Sequence, residues 1–325
     1  MEKLKFAFYW AASCGGCEIA VLDIHEKILD VVERADILFW PVAIDTKYKD
    51  VEAMEDGYID VCFFNGAVRL SEQEHIAKLL RKKSKTLVAF GSCACFGGIP
   101  GLANFSDREG VFKTVYKETE STDNPEFTTP KTEIETKWGK LELPEFYDTV
   151  KALHQVVDVD YFLPGCPPAP ENVIEAVQAI FTGNLPPKGS VLTPNIALCE
   201  NCPRKTEEPK EMEDVKRPHE SKDDGRCFLM QGIICLGPAT RSGCGARCIN
   251  ANMPCRGCYG PTDEVKDQGA KAISAIASVL GVKRERDMTE EEVMALISKI
   301  KDPAGTFYRF SLPVAFINRK VKKGE

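Results

Sequence analysis

The sequence predicts an α/β domain with a parallel sheet over residues 1–190, followed by an irregular domain with a few helices over residues 191–325. Two observations support this prediction. In the first part, short apolar runs alternate with segments of helical periodicity, which is typical of a parallel sheet with helices on both faces. In the second part, Gly, Pro and Cys dominate residues 195–260, where no long periodic segment occurs.

Five predicted strands and three predicted helices make up the first domain. The strands are short apolar runs at residues 4–10, 36–42, 59–65, 86–90 and 158–163. The helices span residues 18–34, 71–83 and 171–181. Ser71 with Glu74 three residues later predicts a capping box, and Gly183 is expected to end the third helix.

The remaining segments are predicted from polarity and from capping signals. Residues 101–143 and 203–226 are polar, so we expect surface loops there. Helices are predicted at residues 265–280 and 289–301. Thr289 and Glu292 predict a capping box at the start of the second of these helices.

The overall composition limits the class of protein. The chain of 325 residues has a formal net charge of -7, which argues against a nucleic-acid partner. No apolar run approaches the roughly 20 residues that cross a bilayer, and the N-terminus has neither the apolar segment of a secretory signal nor a twin-arginine pair. We therefore expect a cytoplasmic protein without a membrane partner. Cytosolic thiols stay reduced, so Cys-x-x-Cys pairs favour metal ligands over disulfides.

Four of the fourteen cysteines are predicted to meet at one edge of the sheet. Cys14 and Cys17 follow the first predicted strand, Cys93 follows the fourth and Cys166 follows the fifth. Ligands of parallel sheets bind at the carboxyl ends of the strands, so these loops should converge. Four thiolates are what a cubane iron–sulfur cluster needs. A thioredoxin-like dithiol at Cys14 and Cys17 and a tetrahedral zinc site are the alternatives.

Eight further cysteines lie in the second domain and would complete two more sets of four: Cys199, Cys202, Cys227, Cys235, Cys244, Cys248, Cys255 and Cys258. Proximity in sequence leaves open which of these thiols share a cluster. Three sets of four thiols in one chain predict a series of clusters that transfers electrons from one to the next.

Three other residues near these motifs are expected to play ordinary structural roles. Cys62 lies in the middle of a strand and should be a buried apolar residue. Cys95 is expected not to be a ligand, because strand-like alternation points it away from Cys93. Glu18 is expected to stabilise the N-terminus of its helix. A contact with a cluster or a role in proton relay is the alternative for Glu18.

The three motifs of the first domain resemble those of the small subunit of nickel–iron hydrogenases. The resemblance rests on the Cys-Gly-Gly-Cys at residues 14–17, on Gly-Ser-Cys-Ala-x-x-Gly-Gly around Cys93 and on Pro-Gly-Cys-Pro-Pro around Cys166, and it covers about residues 4–260. It implies a flavodoxin-like first domain that holds a proximal [4Fe-4S] cluster on Cys14, Cys17, Cys93 and Cys166. It implies a second domain with a medial cluster on Cys244, Cys248, Cys255 and Cys258 and a distal cluster on Cys199, Cys202, Cys227 and Cys235.

Two positions depart from the usual pattern of this family. Cys199 stands where standard members have histidine, and Cys248 stands where many have proline. Both departures resemble the cytoplasmic, methyl-viologen-reducing hydrogenases of the methanogenic type. The resemblance then implies three all-cysteine [4Fe-4S] clusters in this chain. It implies no catalytic residue here, because the nickel–iron site belongs to a separate large subunit.

The partners also follow from the resemblance. It implies a nickel–iron large subunit at the proximal edge, an iron–sulfur adaptor subunit, and a heterodisulfide reductase that receives electrons from H2. Two alternatives stay open. One is an iron–sulfur subunit of the complex I type of quinone oxidoreductase, which shares the motifs around Cys93 and Cys166. The other is a zinc-stabilised interaction module without a redox role.

Overall fold

The computed structural model describes residues 2–204, 206, 211–280 and 288–319. In this part of the chain the strands are β1 (Leu4–Trp10), β2 (Ala35–Phe39), β3 (Ile59–Asn65), β4 (Val68–Leu70), β5 (Ser84–Phe90), β6 (Glu133–Thr136), β7 (Gly139–Glu142), β8 (Phe146–Lys151) and β9 (Tyr161–Leu163). The α-helices are α1 (Gly16–Leu22), α2 (Lys27–Arg34), α3 (Tyr48–Ala53), α4 (Ser71–Lys83), α5 (Gly91–Phe96), α6 (Arg108–Lys113), α7 (Pro170–Thr182), α8 (Arg247–Asn250), α9 (Gln268–Ala277), α10 (Glu290–Ser298) and α11 (Pro303–Phe307). Short 3-10 turns connect several of them.

A five-stranded parallel sheet lies at the centre of the first domain. Its strand order is β2-β1-β3-β5-β9, and all neighbouring strands run parallel. Numbered within the sheet, this order is 2-1-3-4-5, the flavodoxin-like doubly wound arrangement. The predicted α/β class with a parallel sheet is therefore confirmed. Ligands of such sheets bind beyond the carboxyl ends of the strands.

Side-chain alternation along the strands gives the sheet two apolar faces. One face, with Phe8 and Phe63, packs against α1, α2 and α7. The other face, with Tyr9 and Phe64, packs against α3 and α4. All four rings are buried. The strand ends, and hence the loops that follow them, are held in place by this packing.

The single helix predicted at residues 18–34 is wrong, because the structure has the two helices α1 and α2 with a turn between them. His25 lies in this turn with a left-handed φ of 53°, a conformation that does not continue a helix. The prediction rested on the helical spacing of apolar residues that include Ile19, Leu22 and Leu29. Each of these residues is more than half exposed, whereas Val31 is buried.

The bounds of three predicted strands also differ from the structure. The second strand ends at Phe39 because the chain turns over residues 40–43. The fourth begins two residues early, at Ser84, and the fifth covers only Tyr161–Leu163. The predicted end of the third helix is confirmed, since Gly183 ends α7 in a left-handed conformation with a φ of 69°.

The predicted capping box at α4 is wrong, although the bounds of the helix are as predicted. Ser71 is already inside the helix, and its hydroxyl accepts a hydrogen bond from the amide of Glu145 at 2.9 Å. The side chain of Gln73, rather than Glu74, accepts a hydrogen bond from the amide of Leu70 at 3.0 Å. The cap therefore begins one residue earlier than expected.

The polar segment at residues 101–143 lies mainly on the surface, as expected. It contains α6 and a hairpin of β6 and β7, whose Trp138 is 81% exposed. The other polar segment, at residues 203–226, falls partly outside the described residues. No helix among the residues that the structure describes has the length and apolar character needed to span a membrane.

The C-terminal part of the chain, the predicted second domain, has an apolar core and little regular structure among its described residues. This core is built from buried residues between Leu198 and Ala315 and includes two of the cysteines, Cys235 and Cys255. The described residues between 195 and 260 form only short helices, which agrees with the predicted irregular domain.

The two predicted C-terminal helices are present but shorter than expected. α9 begins at Gln268 because the side chain of Asp267 caps it and accepts a hydrogen bond from an amide of the first turn. The capping box at α10 is confirmed. The amide of Thr289 donates to Glu292 Oε2 at 2.8 Å, and the amide of Glu292 donates to Thr289 Oγ1 at 3.3 Å.

Candidate metal-cluster sites

Three loops at the carboxyl edge of the sheet carry the first four cysteines. After β1, Gly15 adopts a left-handed φ of 81° and turns the chain into α1, where Cys17 is buried one residue inside the helix. Cys14 lies on this same loop and is exposed. Cys93 lies in α5, directly after β5, and Cys166 follows β9. The sheet topology thus brings these four residues to one edge.

The four thiols are close enough to affect one another's ionisation. Burial raises the pKa of Cys17, and the thiolate charges of its neighbours raise it further, in the order Cys93, Cys166, Cys95 and Cys14. Burial raises the pKa of Cys93 to about 12, with additional contributions from Cys166 and Cys14. Metal ligands bind as thiolates, so a cationic metal cluster would offset this mutual repulsion.

Two glycines keep the space beside these sulfur atoms open. A Cβ atom at Gly91 would lie 2.2 Å from Cys17 Sγ, and one at Gly98 would lie 2.5 Å from Cys93 Sγ. Both distances are far below van der Waals contact, which is about 3.5–4 Å. Both glycines also have positive φ angles, of 84° and 57°. Only glycine fits at these positions, and a glycine cradle beside thiolates suits a cubane cluster that the backbone approaches closely.

In the second domain, two thiols flank Gly237, and two more affect the ionisation of one of them. A Cβ atom at this glycine would lie 3.0 Å from Cys199 Sγ and 3.7 Å from Cys235 Sγ, so the two thiols flank the same residue. Burial raises the pKa of Cys235 to about 11, and the thiolate charges of Cys227 and Cys202 add to the shift. These are the four cysteines that the family resemblance assigns to a distal cluster.

The other thiols of the second domain lie near Cys258. Burial raises the pKa of Cys258 to about 12, and the thiolate charges of Cys166, Cys244 and Cys248 raise it further. Cys258 therefore lies between a cysteine of the first domain and two of its own domain.

Cys255 connects this group with the thiols around Gly237. Its amide donates a hydrogen bond to Cys235 Sγ at 3.3 Å. Burial raises the pKa of Cys255, and the thiolate charges of Cys235 and Cys258 contribute to the shift. The cysteines thus form a continuous series from Cys166 through Cys258 and Cys255 to Cys235.

Hydrogen bonds join the loops of the two domains along this series. Ser92 Oγ, next to Cys93, donates to the carbonyl of Cys258 at 2.5 Å. The hydroxyl of Tyr259 accepts from the amide of Ala169 at 2.9 Å and donates to Asn172 Oδ1 at 2.8 Å. The loops that carry Cys93, Cys166 and Cys258 are therefore held to one another.

Glu18 has a larger role than stabilising a helix N-terminus. Its carboxylate is buried and accepts hydrogen bonds from Trp40 Nε1 and Asn65 Nδ2. Ser13 Oγ in turn donates to Asn65 Oδ1 at 2.7 Å. Burial raises the pKa of Glu18, while the two hydrogen bonds lower it. The network ties the loop of Cys14 and the start of α1 to the end of β3. The one sequence signal for this network is Asn65, which ends the apolar run of β3.

The two cysteines expected to be non-ligands have ordinary surroundings. Cys62 is fully buried in β3. Cys95 lies with Cys93 in helix α5, so the strand-like alternation expected there is wrong. It is buried, and its Sγ donates to the carbonyl of Ala89 at 3.2 Å. Over the described ranges of the chain, no three His, Cys, Asp or Glu side chains are placed to hold a single metal ion.

Comparisons with known proteins agree with this arrangement. Residues 14–180 match the family model described as NADH ubiquinone oxidoreductase, 20 Kd subunit. The iron–sulfur subunit of the F420-non-reducing hydrogenase of Archaeoglobus profundus is 44% identical over 98% of this chain and 99% of its own. The corresponding subunit of the F420-non-reducing hydrogenase of Methanothermobacter thermautotrophicus is 41% identical over 99% of this chain and 98% of its own. A solved NAD+-reducing [NiFe]-hydrogenase chain is 27% identical, with a TM-score of 0.48 over 56% of this chain and 93% of its own.

Proposed function

Because the chain belongs to the family of iron–sulfur subunits of F420-non-reducing hydrogenases, which are small subunits of nickel–iron hydrogenases, we propose that it carries electrons through three [4Fe-4S] clusters to a heterodisulfide reductase. Family membership makes the chain the electron-transfer part of a hydrogen-oxidising oxidoreductase and gives it a large subunit as partner. The cluster number, the ligand sets, the adaptor subunit and the final acceptor belong to the proposal.

The proposed ligand sets follow the three groups of thiols. Residues 1–190 hold a proximal cluster on Cys14, Cys17, Cys93 and Cys166. Residues 191–325 hold a medial cluster on Cys244, Cys248, Cys255 and Cys258 and a distal cluster on Cys199, Cys202, Cys227 and Cys235. When bound, each cluster supplies a one-electron carrier. The protein contributes thiolates, glycine cradles and burial, and it excludes water most fully around Cys17, Cys235 and Cys255.

One observation carries this proposal, namely the unbroken series of neighbouring thiols from Cys166 through Cys258 and Cys255 to Cys235. An isolated structural metal site needs no such neighbours. An electron path does need them, because each carrier must lie close to the next. The hydrogen bond from Ser92 to the carbonyl of Cys258 holds the first link of the series across the two domains.

An apolar surface beside Cys14 supports the proximal edge as the face toward the large subunit. Ile19 and Leu22 lie one turn apart on α1 and are both more than half exposed. Trp10 is 41% exposed, and its ring lies 3.1 Å from the Cβ position of Gly15 in the same loop. Exposed apolar groups that lie together commonly mark protein interfaces.

The complex I type of subunit is the weaker alternative. The family model described as NADH ubiquinone oxidoreductase, 20 Kd subunit, matches residues 14–180. It leaves out the eight cysteines of the second domain. The hydrogenase relatives, in contrast, align with nearly the whole chain.

Iron and acid-labile sulfide analysis of the anaerobically purified native complex tests the cluster count. After subtraction of the metal content of the separated partners, we expect about 12 irons in this subunit, four for each cubane. Cys258→Ser should lower the count, whereas the matched control Cys62→Ser, which changes a cysteine of β3, should not. A count near four irons, or zinc with little iron, would contradict the proposal. Identification of the subunits that co-purify with the native complex tests the adaptor and the heterodisulfide reductase.

A further inference from the structure

A small cationic cavity lies on the second domain, and the electron-transfer role described above does not use it. Its volume is about 140 Å³. Six basic residues line it: Lys216, Arg217, Arg256, Lys299, Lys301 and Arg309. The chain as a whole carries a net charge of -7. A concentration of positive charge on an acidic protein creates a local field that attracts anions.

Among the lining residues of this cavity, one is acidic and six are basic. Asp302 lines the cavity, but its Oδ1 accepts a hydrogen bond from the amide of Gly305 at 2.8 Å and caps α11. Asp214 pairs with Lys299, one of the basic residues of the lining, at 2.5 Å. None of the three lining arginines forms an ion pair with a carboxylate of the residues described here. The positive charge of the cavity is therefore not balanced from within this part of the chain.

The three guanidinium groups approach one another around the cavity. Arg256 is half-buried, lies between Cys255 and Gly257 in the chain, and lines the cavity. Arg309 and Arg217 lie on other segments and repel Arg256 across the cavity. Arg309 is oriented by a hydrogen bond from its Nε to the carbonyl of Gly305 at 2.9 Å.

We propose that this cavity binds one oxyanion group, a phosphate or a carboxylate, held by Arg217, Arg256 and Arg309. The guanidinium fork matches the geometry of such oxyanions and binds them strongly. The volume also restricts the ligand. Pockets for small molecules measure about 300–1,000 Å³, so a cavity of about 140 Å³ takes a single group rather than a nucleotide.

The oxyanion has two sources, a free phosphate ion or an acidic side chain of a docked partner. Ile233, Ile234 and Pro254 also line the cavity, which places it beside Cys235 and Cys255. A carboxylate bound here would hold a partner next to these two cysteines. A free phosphate would instead neutralise the arginines without any partner.

Binding of inorganic phosphate to the purified native complex, measured by equilibrium dialysis at constant ionic strength in chloride, tests the site. Arg217→Gln and Arg309→Gln should each weaken phosphate binding about tenfold or more, since a hydrogen bond to a charged group contributes about 1.5–3 kcal/mol and 1.4 kcal/mol is tenfold. Lys271→Gln is the matched control. It removes the same charge from an exposed position of α9 that does not line the cavity.

A hexaglutamate peptide is the second probe and separates the two sources. If the peptide binds more tightly than phosphate and competes with it, the site is assigned to an acidic partner. If phosphate binds more tightly than the peptide, the site is assigned to free phosphate. The proposal is overturned if neither probe binds, or if both bind Arg217→Gln and Arg309→Gln as well as the native complex. Arg217 lies on an exposed segment, so its variant tests the site even if Arg309→Gln fails to fold. An unchanged iron content of Arg217→Gln shows that the cysteine sites are intact.

Discussion

Replacement of Gly91 by alanine should abolish cluster binding at the first four cysteines. The added Cβ would lie 2.2 Å from Cys17 Sγ, whereas van der Waals contact needs about 3.5–4 Å. The sulfur would therefore have to move by roughly 1.3–1.8 Å. This displacement is several times the tolerance of a metal–ligand distance, which is about 0.2 Å. The φ of 84° at Gly91 adds strain of about 1–2 kcal/mol for any residue with a side chain.

Gly189→Ala provides a control that separates strain from steric conflict. Gly189 has a similar φ, of 91°, and no atom lies within 4 Å of its Cβ position. Both variants should lower the thermal midpoint of the complex through the same backbone strain. Only Gly91→Ala should also lose about four irons, the content of one cubane. Iron and sulfide analysis, with electron paramagnetic resonance of the reduced complex, measures this difference.

The opposite result would refute the reasoning. If Gly91→Ala retained as much iron as Gly189→Ala and the same resonance spectrum, the space beside Cys17 Sγ would not be needed for a cluster. The assignment of Cys17 as a ligand would then lose its main geometric support.

Three further predictions concern single side chains. Cys248→Pro should convert the proposed medial cluster to a [3Fe-4S] form, which electron paramagnetic resonance detects in the oxidised complex; an unchanged spectrum would count against Cys248 as a ligand. Glu18→Gln should destabilise the first domain by about 1–3 kcal/mol, because Trp40 Nε1 and Asn65 Nδ2 donate to different oxygens of Glu18, and the single side-chain oxygen of glutamine leaves one of these buried donors facing an NH2 group; an unaltered thermal midpoint would disprove this. Burial opposes ionisation of Asp160, but Lys188, Arg81 and the amide of Leu87 together lower its pKa. The stability that Asp160 contributes is thus fully present above its ordinary pKa of about 3.9 and is lost as the pH falls below that value. Asp160→Asn should remove this acid-dependent loss in a thermal melt series, and a series identical to that of the native protein would refute it.

The sheet was predictable because its strands are buried on both faces and read as continuous apolar runs. β1 and β3 were located to the residue for this reason. The break between α1 and α2 was not predictable, because a left-handed conformation at His25 is rare for a residue other than glycine. The exposed apolar residues of α1 and α2 also contributed to the prediction of a single helix. Periodicity alone does not show whether an apolar stripe faces the core or the surface.

The cysteines of the candidate sites could be located by motif, but their surroundings could not. Each motif is a local pattern, and the loops that carry Cys14, Cys93 and Cys166 follow from the strand order. The contact between Glu18 and Asn65 joins residues 47 positions apart. The cationic cavity likewise combines four separate segments of the second domain. Such contacts depend on tertiary packing and leave no spacing signal in the sequence.

The hydrogen bonds from Ser92 and Tyr259 across the two domains have a consequence for maturation of the subunit. The loop of Cys258 is ordered by Ser92, and Tyr259 orders the segment that follows Cys166. A chain that lacks metal at one of these sets would therefore present a less ordered second set. We expect iron loading to be cooperative, with few partly loaded subunits at equilibrium. The proposed proximal and medial sites would then be both empty or both loaded when the large subunit binds, and a path interrupted between these two sites would rarely be built into the enzyme.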